Sequence, residues 1–145
     1  MSTFAAKPGA ASVNFNRPPR IFVLDDQPLV ANSIAQVLNS RGYEAYPSYT
    51  TTGVLDMTAD VSPDLLITDV ALGPNTINGF DLAIYFERFF TDCRVILISG
   101  DPNSGDLHRR ARGLGHDFLL LHKPIAPQKL LDIVAETLSH LQKAA

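Results

Sequence analysis

The sequence predicts an α/β fold built on one parallel sheet, and three observations carry that reading. From Arg20 onward, short apolar runs alternate with longer segments of helical period, the pattern of successive βα units. Four of the runs end in polar residues: Asp25-Asp26 after Ile21–Leu24, Asp69 after Leu65–Thr68, Ser99 after Val95–Ile98, and Lys123 after Phe118–His122. A parallel sheet gathers its strand C-termini along one edge, so such residues can share one crevice. Finally, 145 residues suit one domain with one core.

In chain order, Ile21–Leu24 reads as the first strand, and Pro28 falls where a first helical turn accepts it. Val30, Ile34, Val37 and Leu38 then form one helical stripe ending near Gly42. Tyr43–Tyr46 is a weaker second strand, and Thr51–Ala59 a short second helix. Ser62-Pro63 breaks the chain before a third strand at Asp64–Thr68. The stretch from Val70 to Gly79 is rich in turn formers and reads as a loop before a helix over Phe80–Phe90. Cys93–Ile98 is the fourth strand, Asp106–Arg112 the fourth helix and Phe118–Leu121 the fifth strand. Gln128–Leu141 closes the series, with Leu130, Val134, Leu138 and Leu141 on one side. No second domain is expected.

Composition narrows the function classes. An apolar fraction of 46% with 19% charged residues fits a soluble globular protein. A net charge of −3 and no evident basic face argue against nucleic acid. The single cysteine, Cys93, excludes an internal disulfide and a Cys-rich zinc site, and reads as a small buried hydrophobe. Residues 1–19 contain Pro8, Gly9, Pro18 and Pro19 and no apolar core of signal-peptide length, so they read as a flexible lead-in. No stretch is long enough to cross a bilayer, and the expected location is the cytoplasm.

Adjacent carboxylates repel unless a positive charge lies between them. A divalent cation such as Mg²⁺, with its preference for oxygen ligands and phosphate, answers that need at Asp25 and Asp26. Alone, an Asp-Asp pair is usually a solvated turn and helix cap; a third Asp, a Ser and a Lys at matching strand ends shift the balance. Asp69 then has two possible roles, metal ligand or nucleophile toward phosphorus. Lys123 suits a phosphoryl oxygen as a point charge, and Ser99 suits a hydrogen bond to another.

These residues resemble the receiver domain of two-component response regulators, over essentially all of Arg20–Leu141. The motifs are Val23-Leu24-Asp25-Asp26, Pro63–Asp69, Asn78-Gly79, Ile98-Ser99-Gly100 and Lys123-Pro124. The resemblance implies a flavodoxin-like sheet in order 2-1-3-4-5, with a receiver over residues 20–142 and no output domain. It implies that Asp69 accepts a phosphoryl group from a histidine kinase or phosphotransfer protein. Asp25 and Asp26 would bind Mg²⁺ with Asp69 and the backbone carbonyl of Ala71. Ser99 would be the switch hydroxyl and Lys123 the phosphate-contacting lysine. Such a chain is a phosphoacceptor signalling domain rather than an enzyme, and signals through protein contacts.

Three positions depart from the family pattern. The Asp69–Gly79 stretch is about two residues longer than usual. Leu120 stands where the family has Tyr or Phe, with Phe118 the nearest aromatic on the same strand face, and Gly100 replaces a common Ala. Tyr85, Phe86, Phe89 and Phe90 crowd the end of the third helix; they read as a wide core face with surface strays, or as a partner or homodimer contact. Two alternatives accompany the main reading. One is a receiver-like interaction module working without phosphorylation. The other is a phosphatase of the haloacid dehalogenase type, disfavoured because those enzymes carry Asp-x-Asp after the first strand. A dinucleotide-binding fold lacks its glycine-rich loop here.

Overall fold

The computed structural model describes residues 17–74 and 76–144, with side chains as far as Ser139. Strands β1 (Arg20–Leu24), β2 (Glu44–Ser48), β3 (Leu65–Asp69), β4 (Arg94–Ser99) and β5 (Leu119–His122) alternate with five helices. These are α1 (Pro28–Asn39), α2 (Thr51–Met57), α3 (Gly79–Phe89), α4 (Ser104–Gly113) and α5 (Pro127–Ala144). All pairings are parallel, in the expected order β2-β1-β3-β4-β5. Every predicted element is present, with bounds shifted by one to three residues. β1 and β2 are each one residue longer, and α1 ends at Asn39 rather than near Gly42, which turns the chain at φ 94°.

Alternation along the strands sorts the core into two faces. Ile21, Val23, Leu65, Ile67, Ile96, Ile98 and Leu121 point toward α1 and α5. Phe22, Leu24 and Leu66 point toward α2 and α3, and Leu97 packs with Phe80, Ala83, Ala111 and Phe118 in the α3–α4 layer. Burying a side chain such as Leu66 or Phe86 stabilises the fold by about 1.5–3 kcal/mol relative to leaving it exposed. The α1 stripe sits slightly off the apolar one read from sequence. Ala31, Ala35 and Leu38 are the buried positions, Ile34 and Val37 pack at the flanks, and Leu29 is left 82% exposed. Two alanines let the helix backbone lie close to the sheet.

Helix starts follow local chemistry. The Thr50 side chain accepts from the Gly53 N–H, and the Asn78 side chain from the Asp81 N–H at 2.9 Å. The α3 aromatics divide. Phe86 is fully buried and Phe90 packs partly against the α2–α3 core, while Tyr85 and Phe89 are exposed and meet at 4.8 Å between ring centroids.

Of the lead-in, residues 1–16 lie outside the described residues. Arg17 pairs with Asp64 at 2.8 Å, and the Pro19 carbonyl accepts the Glu44 N–H at 2.9 Å. On α5, Leu130, Val134 and Leu138 are buried as expected, and the Leu141 side chain lies outside the described residues. No helix among the described residues is long and apolar enough to cross a membrane.

Candidate functional site at the strand C-termini

β1 and β3 are neighbours, with Leu24 opposite Thr68, so the residues that follow them emerge side by side. Ligand oxygens of Asp25, Asp26 and Asp69 all lie within 4.8 Å of one another. Asp25 and Asp69 are buried, and Asp26 faces solvent. The two Asp25 oxygens have different partners: Oδ1 accepts the Gln27 N–H at 2.9 Å, and Oδ2 accepts Lys123 Nζ at 2.9 Å. Lys123 reaches Asp69 Oδ2 at 3.3 Å as well, so one ammonium spans two carboxylates carried by different strands.

Burial pushes the Asp69 carboxyl above its usual range, and the neighbouring Asp25 charge pushes the same way. Lys123 and the Ala71 N–H oppose that shift without cancelling it. For Lys123, burial disfavours the charged form, but its bond to Asp25 and the charges of Asp69 and Asp25 outweigh burial and raise its pKa. The site is therefore a pair of buried carboxylates and one held cation, with a third carboxylate at the mouth. Three hard oxygen donors at this spacing suit a small divalent cation such as Mg²⁺.

The backbone of β3 is held by a contact that sequence reasoning did not single out. A Cβ on Gly79 would stand 2.3 Å from the Asp69 carbonyl oxygen, so only glycine lets α3 start this close. The Gly79 N–H also donates to the Val70 carbonyl at 2.7 Å, and the Val70 N–H to Ile98 at 2.9 Å. The Asn78-Gly79 pair carries that signal in the sequence, since one residue caps the helix and the other permits the approach. Between them and Asp69, Ala71 is exposed, Leu72 packs partly into the α2–α3 core, and Gly73 turns the loop at φ 103°.

Ser99 ends β4 opposite His122, but its hydroxyl does not join the carboxylates. It is 1% exposed, accepts the Asp101 N–H at 3.0 Å and donates to the Asp101 carbonyl at 3.3 Å. That carbonyl also accepts from Ser104 Oγ at 2.8 Å, and the Asp101 carboxylate accepts the Asn103 N–H at 2.8 Å. Asp101 thus organises the start of α4 and holds the Ser99 hydroxyl within it. Gly100 leaves room beside the Lys123 side chain.

Leu120 is partly buried in the α3–α4 layer. Phe118 is buried in the same layer, and its carbonyl accepts His108 Nε2 at 2.6 Å. Cys93 is buried beneath α3, and burial pushes its thiol well above the ordinary range, which fits the expected inert role. Beside Lys123, a groove of about 430 Å³ opens between α1 and the chain after β5, lined by Leu29, Ile34, Pro124, Ile125 and Leu130.

Comparison with known proteins agrees with this arrangement. Residues 21–135 match the response regulator receiver domain family. The signal receiver domain of an HD domain-containing protein from Pseudomonas fluorescens Pf-5 superimposes with a TM-score of 0.78 at 26% identity, over 88% of this chain and 99% of that one. A CheY-like receiver domain protein from Methanospirillum hungatei JF-1 gives a TM-score of 0.78 at 23% identity, with the same coverage of 88% and 99%. The nitrogen assimilation regulatory protein NtrX of Azorhizobium caulinodans is 26% identical over 122 residues, 84% of this chain and 26% of NtrX. This chain therefore spans about a quarter of that relative's length. With the parallel order, the acidic crevice and the family match in agreement, the chain belongs to the receiver domains of two-component response regulators.

Proposed function

We propose that this receiver takes a phosphoryl group on Asp69 from a histidine kinase or phosphotransfer protein and passes the signal on through protein contacts. The observation that carries the reading is the Lys123 ammonium bridging Asp25 and Asp69 beside a third carboxylate. Asp25, Asp26 and Asp69, with the Ala71 carbonyl, would hold Mg²⁺. A cation held there would supply positive charge for a phosphoryl oxygen.

An Asp69 oxygen attacks phosphorus in line, the bond from phosphorus to the donor breaks, and the donor atom leaves with the electron pair. The product is an acyl phosphate on Asp69. Lys123 keeps its charge through the step, because two carboxylates favour it, and pairs with the new anion. Ser99 then has a better acceptor than the Asp101 carbonyl. Its departure loosens the start of α4, a local hydrogen-bond exchange that moves a surface. The apolar groove beside Lys123 offers a phosphodonor protein a wall to dock on. Signalling in the cytoplasm fits such a partner.

The test is intact-protein mass after incubation with Mg²⁺ and acetyl phosphate, beside an Asp69→Asn variant. One phosphoryl adduct is expected in the native chain, dependent on Mg²⁺ and absent from the variant. An adduct that persists in Asp69→Asn would overturn the assignment. No adduct in either chain, with Mg²⁺ binding shown separately, would favour an interaction module that works without phosphorylation.

A further inference from the structure

Helix α4 has little apolar surface to hold it in place. Ser104 and Ala111 are its buried residues, and Leu107 is partly buried against the α3–α4 layer. By contrast, α3 buries Phe80, Leu82, Ala83 and Phe86. Hydrogen bonds therefore carry a larger share of the work at α4.

Two such ties reach its inner face. At the start of the helix, Ser104 gives the Asp101 carbonyl both its hydroxyl at 2.8 Å and its N–H at 3.1 Å. Asp101 is also the residue that engages the Ser99 hydroxyl. One turn further on, His108 Nε2 meets the Phe118 carbonyl, just before β5, at 2.6 Å. A carbonyl only accepts, so the imidazole donates from Nε2. Ser104, His108 and Ala111 follow at i, i+4 and i+7 and share one helix face. The His108 ring is half-buried, with its centroid 6.2 Å from that of Phe80 on α3. Leu120 of β5 lies in the same layer and brings no polar group to it. Arg112 also reaches toward β5, pairing with Asp117 at 3.4 Å, but both side chains are exposed and such a pair holds little.

We infer that His108 is a positioning residue that couples the Ser99–Asp101 loop to β5. Its bond to Phe118 and the Asp101–Ser104 bonds open together as one unit. A helix is stiff along one turn, and a displacement of about 1 Å takes the His108 bond out of range. Release of α4 at its start is thus felt at Phe118, and loosening at Phe118 is felt at Asp101. The coupling rests on the proposed phosphoryl transfer for its trigger alone, since both ties are present in the chain without a phosphoryl group.

The experiment is amide hydrogen exchange by NMR on the full chain at pH 8, without a phosphodonor, so its failure is distinct from a failure of phosphoryl uptake. His108→Leu should speed exchange at Asp101 and Ser104 by about three- to tenfold, the scale of one hydrogen bond. His108→Gln, which keeps a donor at a similar reach, should restore rates near the native ones. Ser99→Ala should in turn speed exchange at Ala111 and Arg112, and Leu66 in β3 should keep its rate in all three variants. Native rates at Asp101 and Ser104 in His108→Leu overturn the inference, because His108 then does no more than pack locally. Fast exchange that His108→Gln does not reverse, or that extends to Leu66, overturns it as well.

Discussion

Two strand ends at the same edge of the sheet are built differently. At the end of β3, Asp69 is already tied to Lys123, which also holds Asp25, so three segments of chain meet through one ammonium. At the end of β4, the Ser99 hydroxyl is as deeply buried, yet both its bonds go to Asp101 in its own loop. The first end is assembled across strands, and the second is committed within its own loop. A charged cluster can be preorganised because its members attract across strands. A neutral hydroxyl has no such pull until a new anion appears, and a nearby backbone amide and carbonyl are enough to hold it. Under the proposed phosphoryl transfer, the asymmetry would separate capture, assigned to Asp69 and Lys123, from response, assigned to Ser99 and Asp101.

Removing the cation is the strongest way to break the assembled end. Lys123→Ala deprives the phosphoryl group of its fixed charge, and uptake from acetyl phosphate should fall on the order of 10²-fold, followed by mass at timed intervals. Uptake at the native rate would mean that the ammonium serves only to offset the carboxylates. Ser99→Ala sharpens the contrast from the other side. Uptake should change by no more than about two- to tenfold, the scale of one neutral hydrogen bond, while the response at α4 is lost. A loss as deep as that of Lys123→Ala would place Ser99 in capture and erase the distinction.

The smallest effect concerns stability. The folded Asp69 carboxyl has a raised pKa, so its favourable contribution is present below its ordinary value of 3.8 and is lost as pH rises through the folded value. At neutral pH its charge therefore costs stability, and Asp69→Asn should melt at or above the native temperature. The difference should close as pH falls toward 3.8. Thermal unfolding followed by circular dichroism at several pH values checks this, and a lower melting point at neutral pH would contradict it.

The sheet was legible because parallel strands buried on both faces read as unbroken apolar runs, as Leu65-Leu66-Ile67 does. The carboxylates and Lys123 were legible for a related reason, since the end of each run marks the edge where they meet. Finer features were less so. Ala31 and Ala35 are the buried face of α1 with Leu38, and small residues give a weak periodic signal beside Val30 and Ile34. The need for glycine at position 79 comes from a backbone contact with Asp69, ten residues earlier, that no local pattern reveals. Ser99 was expected at the site and stands at its edge; its detachment depends on Asp101, whose role is set by loop geometry. The α3 aromatics could not be divided into core and surface by helical period alone, because Tyr85 and Phe89 flank a stripe already filled by Leu82 and Phe86.

The most direct test of the separation between capture and response is the amide signal of Asp101 in a nitrogen–proton correlation spectrum. It should be followed with Mg²⁺ as excess acetyl phosphate is added, with mass recorded on the same sample. Once Asp69 carries a phosphoryl group, the Asp101 N–H should lose Ser99 as its acceptor and shift, together with Asn103 and Ser104. The Asp69→Asn chain should show no such change. A fully phosphorylated sample in which the Asp101 signal stays in place would contradict the account, because Ser99 would then have no part in reporting the phosphoryl group.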